Sequence, residues 1–266
     1  MISNMMIEIT TGCTRRCPIC EASIGDRPIE RLPISVGLDI LGVLHSEGVT
    51  SFSFTGGEPL MYREGLLEFL RWASARNVAA RIYTNGDLAT PAYVEEIAPH
   101  LSDVVLSLDT LDAEAALLLR GTSECIDAAI AALDAFLEAG VAVNVLTVFS
   151  SATRTTLPDL GEYLSSRGIA AWWIQQFIPQ GKGLNLEDQL SVSLEDFESA
   201  VSSLPSSFGG TIREFPAVGA SRHRVYVNCR ADIVEYDTGI ELGSVMNRRL
   251  RHRVLADDAY DNQRRS

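Results

Sequence analysis

The sequence predicts an α/β fold in which six strand–helix units build one parallel sheet, curled or wound. Two observations lead there. Short alternating or apolar runs of strand length recur over the first two thirds of the chain, with helix-like stretches between them. Glycines stand just after several of those stretches, where a left-handed C-terminal cap belongs.

The first strand is the alternating run Met6-Ile7-Glu8-Ile9-Thr10. Residues 51–55, 80–84, 104–108, 141–149 and 172–178 read as the next five strands. Residues 35–47, 64–76, 91–98, 123–139 and 157–167 read as the helices between them. Ser123 stands at the head of its Ala/Leu/Ile run as an N-cap, and Gly140 closes it. Gly48 and Gly168 follow the helices that precede the second and sixth strands. Such units cross over right-handedly and carry their ligand beyond the carboxyl ends of the strands, so the site is expected there.

The alternation stops near Pro179, where Pro-Gln-Gly-Lys-Gly opens a Gly-rich loop around Lys182. We therefore divide the chain into a core at 1–180 and a C-terminal extension at 181–266 that completes the substrate side. The extension holds a helix near 194–203, a Pro/Ser/Gly-rich linker at 204–210, and a β pair at 222–228 and 232–236. No recognition domain is expected before the first strand.

Composition narrows the function classes. A chain of 266 residues with 46% hydrophobic content buries a sizeable core. A net charge of −13 opposes nucleic acid or an anionic membrane as a partner, because that binding needs a positive field. There is no run of eighteen apolar residues. The start, Met1-Ile2-Ser3-Asn4-Met5, lacks the blocks of a signal peptide. The expectation is a cytoplasmic protein.

Three of the five cysteines fall within eight residues, in Cys13-Thr-Arg-Arg-Cys17-Pro-Ile-Cys20 on the loop after the first strand. A tight triplet in a reducing compartment reads as metal binding, and short spacings let one loop wrap three corners of an iron–sulfur cube. One iron then lacks a cysteine. A closed zinc site wants a fourth ligand; His45 falls within a predicted helix, and Cys125 and Cys229 lie far along the chain, with nearness in space left open for either. After the second strand comes Thr55-Gly56-Gly57-Glu58-Pro59, in which glycines permit close backbone approach while carbonyls and a carboxylate accept from an amine. A plain strand-to-helix turn is the competing reading of that segment.

The two motifs, in this order at successive strand ends, resemble the radical S-adenosylmethionine (SAM) superfamily, in particular the branch that includes the molybdenum cofactor cyclase and many peptide- and sugar-modifying enzymes. Ile19 departs from the pattern, since the family usually carries an aromatic residue before the third cysteine. The resemblance covers roughly residues 5 to 178 and implies a partial (β/α)6 barrel. It implies a [4Fe–4S] cluster on Cys13, Cys17 and Cys20, with SAM chelating the open iron and its amino group meeting Thr55, Gly56, Gly57 and Glu58. Further polar strand ends match more weakly: Asn85, Ser107, Asp109, Asn144 and Gln176, with Gln175 beside it, fall where the family places SAM's ribose, carboxylate and adenine. Arg120 is similar to an arginine near the SAM carboxylate.

The chemistry implied is reductive cleavage of SAM, fed by a flavodoxin or ferredoxin, to a 5′-deoxyadenosyl radical that takes hydrogen from the substrate. The last third decides that substrate. In the alternating stretch 222–230, Arg222, Arg224, Tyr226 and Arg230 share a face if it is a strand, and guanidiniums suit phosphate or carboxylate. The expectation is a small anionic biosynthetic intermediate. A peptide substrate is the alternative, disfavoured because the cysteines left over cannot build a second four-cysteine cluster. A non-catalytic electron carrier is a third reading. Cys229 is either a hydrogen donor to a product radical or an inert buried thiol.

Overall fold

The computed structural model describes residues 3–25, 27–204, 210–217, 225–235 and 239–256. Six of its strands follow the predicted series: β1 (Asn4–Thr10), β2 (Ser51–Gly56), β3 (Ala79–Thr84), β4 (Asp103–Ser107), β5 (Ala142–Phe149) and β6 (Ala171–Gln176). The intervening helices are α1 (Ile34–Ser46), α2 (Arg63–Ser74), α3 (Pro91–Ile97), α4 (Ala113–Arg120), α5 (Glu124–Glu138) and α6 (Leu157–Ser165). Beyond them lie α7 (Glu187–Leu190), α8 (Leu194–Ser202), β7 (Thr211–Phe215), β8 (Val225–Val227), β9 (Asp232–Glu235), β10 (Glu241–Ser244) and α9 (Arg248–Ala256).

The ten strands of the described residues form one sheet in the order β10-β9-β8-β1-β2-β3-β4-β5-β6-β7, and the run from β8 through β1 to β7 is parallel. This is the partial-barrel architecture expected. Only β9 and β10 turn back, as the antiparallel continuation of β8. The β pair expected in the extension is present as β8 and β9, although Arg222, Arg224 and Tyr236 lie outside the described residues. Two features were not anticipated: β7 pairs with β6 at one edge, and β8 joins β1 at the other.

Alternation sorts each strand into two faces. Phe52, Phe54, Ile82, Val104, Leu106, Val143, Val145, Trp172 and Ile174 point to the helices and form the main core. The other face is the inner one. It carries Glu8, Tyr83, Ser107, Leu146, Trp173 and Gln175, and its registers place Ser107, Leu146, Trp173 and Arg213 in one row across four strands.

Local chemistry accounts for the helix ends. Gly48, Gly140 and Gly168 all take positive φ, as their positions after helices required. The Asp112 carboxylate accepts from the Ala115 amide at 2.8 Å to open α4, and Ser193 Oγ accepts from the Asp196 amide at 3.0 Å to open α8. At α5 the expected cap is displaced by one residue. Ser123 makes no side-chain capping bond, and Thr122 Oγ1 accepts from the Glu124 amide at 3.2 Å instead.

Candidate active site

The cysteine loop leaves the end of β1 and lies across the carboxyl ends of the strands. It is tied down on both sides. Toward β3, Arg15 is buried and ion-paired with Asp87, and it also donates to the Asn85 carbonyl at 3.0 Å; Thr14 Oγ1 donates to Asp87 at 2.6 Å. Toward β6, Gln175 Nε2 donates to Glu21 at 2.7 Å, and the Lys182 amide donates to the Cys20 carbonyl at 3.1 Å. Gly181 takes φ +56°, and a Cβ there would lie 2.1 Å from the Glu21 carbonyl oxygen, so the turn requires glycine. Ile19 sits in a small apolar cluster with Leu119, Val148, Phe177 and Leu190, which fits an aliphatic residue at that position.

The three thiols are half-buried, and N–H donors face them. The Arg15 amide reaches Cys13 Sγ at 3.4 Å, Asn85 Nδ2 reaches the same sulfur at 3.7 Å, and the Ile24 amide reaches Cys20 Sγ at 3.4 Å. Arg120 stands beside Cys17. Burial pushes the Cys13 thiol up to about 11 and raises that of Cys20, so as free thiols both stay protonated; a bound metal group would displace those protons. Among the described residues no three His, Cys, Asp or Glu side chains converge on the position of a single ion. Three thiolates on one loop, each met by a donor, fit an iron–sulfur group, whose corners spread wider than a single ion and whose sulfurs take hydrogen bonds.

The Gly-Gly-Glu segment meets the root of this loop. The Gly57 amide donates to the Thr10 carbonyl and the Glu58 amide to the Gly12 carbonyl, each at 2.7 Å. The Glu58 side chain turns inward and is fully buried, where it accepts from the Leu60 amide at 3.0 Å, Thr84 Oγ1 at 2.8 Å and the Asn85 amide at 2.8 Å. Burial raises its carboxyl to about 7. Its carboxylate stitches the end of β2 to the end of β3, leaving Thr55, Gly56 and Gly57 at the mouth.

Beside the cysteines, a small hollow is lined by Arg15, Ser107, Asp109, Thr110, Arg120 and Cys125. Arg120 grips Asp109 with two parallel bonds, Nε at 2.5 Å and NH2 at 2.9 Å, and the same carboxylate accepts from the Val148 amide at 2.8 Å. The pair holds the Arg120 charge well above its ordinary range and aims it between Asp109 and Cys17. Ser107, Asp109, Arg120 and Asn85 thus come together beside the cysteine loop.

Other candidates stand elsewhere. Asn144 is the third residue of β5, near the opposite end of the strands, and its amide donates to Asp103 at 2.8 Å; strand membership alone did not fix which end it occupies. Gln176 faces the helices, its amide donating to the Val192 carbonyl and accepting from the Ala217 amide, each at 2.9 Å, so Gln175 is the glutamine of this pair turned to the loop. Tyr226 is half-buried beside β1, and Arg230 is exposed and paired with Glu241. Cys229 donates toward Glu8 and Glu30 at 3.4 and 3.5 Å, and burial together with those two carboxylates pushes its thiol up to about 12. The anchors Arg15, Asp87 and Gly181 were missed, although Arg15 lies inside the motif itself.

Among the described residues, no helix is long and apolar enough to cross a membrane. The model of the radical SAM superfamily matches residues 7–164. Mycofactocin maturase MftC of Mycolicibacterium smegmatis is 30% identical over 191 residues, covering 71% of this chain and 48% of that protein. GTP 3′,8-cyclase of Helicobacter pylori is 29% identical over 184 residues, covering 66% of this chain and 56% of that one. The chain therefore spans about half the length of these relatives. In fold it is similar to Streptococcus suis SuiB bound to S-adenosylmethionine, with a TM-score of 0.78 at 18% identity, over 97% of this chain and 66% of SuiB. A second SuiB structure, bound to precursor peptide SuiA, gives a TM-score of 0.77 at 19% identity, over 97% of this chain and 65% of SuiB.

Proposed function

The chain belongs to the radical SAM superfamily, and from that premise we propose that it takes hydrogen from a peptide substrate held against the inner face of the sheet. The observation that carries the radical step is the loop of three donor-faced thiols beside the Asp109–Arg120 hollow. Cys13, Cys17 and Cys20 hold a [4Fe–4S] cluster. When bound, the cluster would supply the electron for reductive cleavage of SAM, from which hydrogen abstraction would follow. Gly56 and Gly57 present backbone carbonyls to the amino group of SAM, and Glu58 fixes that segment from behind. Arg120, held by Asp109, meets a carboxylate, and Ser107 offers a hydroxyl to the ribose. Electrons arrive from a donor of flavodoxin or ferredoxin type, in a cytoplasm that keeps the thiols reduced.

The peptide reading is supported by the precursor peptide in SuiB and by the inner face, which is open between its two edge strands, β7 and β10. A small anionic intermediate is the second reading, supported by the likeness to GTP 3′,8-cyclase. The test is anaerobic: the protein is reconstituted with iron and sulfide, reduced with dithionite, given SAM, and assayed for 5′-deoxyadenosine beside a Cys17→Ala control. Product from the wild type alone supports the proposal. Its absence from both proteins, with an intact cluster and added short peptides or nucleotides, refutes it. Stimulation by peptides over nucleotides favours the first substrate reading, and the reverse favours the second.

A further inference from the structure

The guanidinium of Arg213, on β7, lies 5.9 Å from the centre of the Trp173 ring, and that of Arg81, on β3, lies 5.0 Å from it. Both belong to the inner face. They differ in what neutralises them. Arg81 is held by Asp103, with NH2 to Oδ2 at 3.0 Å, and Asp103 is further engaged by Asn144. Arg213 is exposed, and no carboxylate among the described residues pairs with it. Its strand neighbour Glu214 points to the other face by alternation, and Glu21, the acid at the next polar position toward the loop, is engaged by Gln175.

The ring between the two arginines carries an anomaly of its own. Trp173 is 7% exposed, and its indole N–H is buried with no hydrogen-bond partner among the described residues, whereas that of neighbouring Trp172 donates to Thr147 at 2.9 Å. Buried polar groups are nearly always paired, so an orphaned N–H on the inner face calls for an acceptor. Tyr83 and Phe215 complete an apolar rim around the indole.

We propose that Arg213 and Trp173 form the subsite for a carboxylate of the substrate, which deepens the function proposed above and rests on it only for the word substrate. The guanidinium fork matches a carboxylate, and the aromatic face beneath it keeps water from one side of the ion pair. The subsite shares a register row with Ser107, three strand spacings or about 14 Å along the sheet from it, so a molecule anchored here reaches toward the hollow beside the cysteines. Of the sequence-based candidates for this role, Arg230 already has Glu241, and Arg222 and Arg224 lie outside the described residues.

The test reads the indole N–H directly. The chain has three tryptophans, so nitrogen-15-labelled, cluster-reconstituted protein gives three indole resonances, and Trp173→Phe identifies the one that matters. Benzoate is the probe and benzamide its neutral counterpart. Benzoate is expected to move the Trp173 resonance saturably in the millimolar range and benzamide to leave it in place. Arg213→Gln should weaken benzoate at least tenfold, while Arg213→Lys keeps part of the affinity. Equal shifts from benzamide, or unchanged affinity in Arg213→Gln, overturn the proposal. SAM without reductant is the remaining arm: if SAM alone moves the resonance and blocks benzoate, the subsite takes the cofactor's own carboxylate and the substrate assignment fails. None of these readings depends on SAM cleavage, so failure of the radical reaction and failure of this subsite are separable.

Discussion

Replacing Gly57 with alanine tests whether the Gly-Gly segment and the cysteine loop are in backbone contact. A Cβ at position 57 would lie 2.0 Å from the Gly12 carbonyl oxygen and 2.5 Å from its carbon, where contacts under 3.0 Å essentially never occur. The two backbones must therefore part by about 1 Å, and no side chain can yield in their place. The bonds that join them, Gly57 amide to Thr10 and Glu58 amide to Gly12, start at 2.7 Å and would stretch past hydrogen-bonding range. Two backbone bonds at roughly 0.5–1.5 kcal/mol each, added to roughly 1–3 kcal/mol of overpacking, give about 2–6 kcal/mol. In a chain of this size that lowers the melting temperature by about ten degrees. Thermal unfolding followed by circular dichroism reads it, with iron uptake measured in parallel. Gly42→Ala, in the middle of α1 with nothing within 4 Å of the new Cβ, is the control and should stabilise by roughly 0.5–1 kcal/mol. A Gly57→Ala protein that melts within two degrees of wild type and takes up iron normally would refute the contact.

Glu58 sets a pH dependence. Its carboxyl is raised by burial from 4.5 to about 7, so the folded state favours the proton; the associated stability is complete below about pH 4.5 and is lost as pH rises through about 7. That gap corresponds to about 3 kcal/mol. Glu58→Gln should flatten the decline in stability between pH 5 and 8 by that amount, and an identical slope in denaturant titrations of both proteins would count against it. Asp109→Ala leaves Arg120 without its partner and the Val148 amide without an acceptor, which costs about 3–5 kcal/mol and should weaken SAM binding at least tenfold by calorimetry. Asn144→Ala, at the far end of the strands, should leave SAM affinity within twofold, and equal losses in the two variants would contradict the placement of the hollow.

The six strand–helix units were legible because each strand is apolar on the helix side and because Gly48, Gly140 and Gly168 close three of the helices between them. Thr211–Phe215 escaped notice because an edge strand needs only one apolar face: its pattern, half-buried Ile212 and Phe215 among exposed Thr211, Arg213 and Glu214, lacks the run that marks an interior strand. Helix α4 was missed because its Leu run was read only for the Arg-Gly that follows it. At the site, Asn85, Ser107 and Asp109, which stand at strand ends in the chain, lie beside the cysteine loop. Gln175 and Gln176 show the limit of reasoning from strand ends, since period two puts neighbours on opposite faces and sequence does not say which faces the loop. Asn144 shows another: a polar residue on a strand reveals neither end. Arg15–Asp87 pairs residues 72 positions apart, a distance at which no local pattern speaks.

The strap that β6 and its exit turn place over the cysteine loop also dictates an order of assembly. Gln175 reaches Glu21 across 154 positions of chain, and Lys182 reaches Cys20 across a similar span. Cys20 leaves the ribosome well before Gln175 and Lys182 do, so its loop acquires that anchor only after β6 has been synthesised and docked. Closing contacts of such long range is slow. Until residue 182 has emerged the nascent loop thus has its β3-side ties at most, and delivery of iron and sulfide has a natural point after that, when both sides of the loop are held.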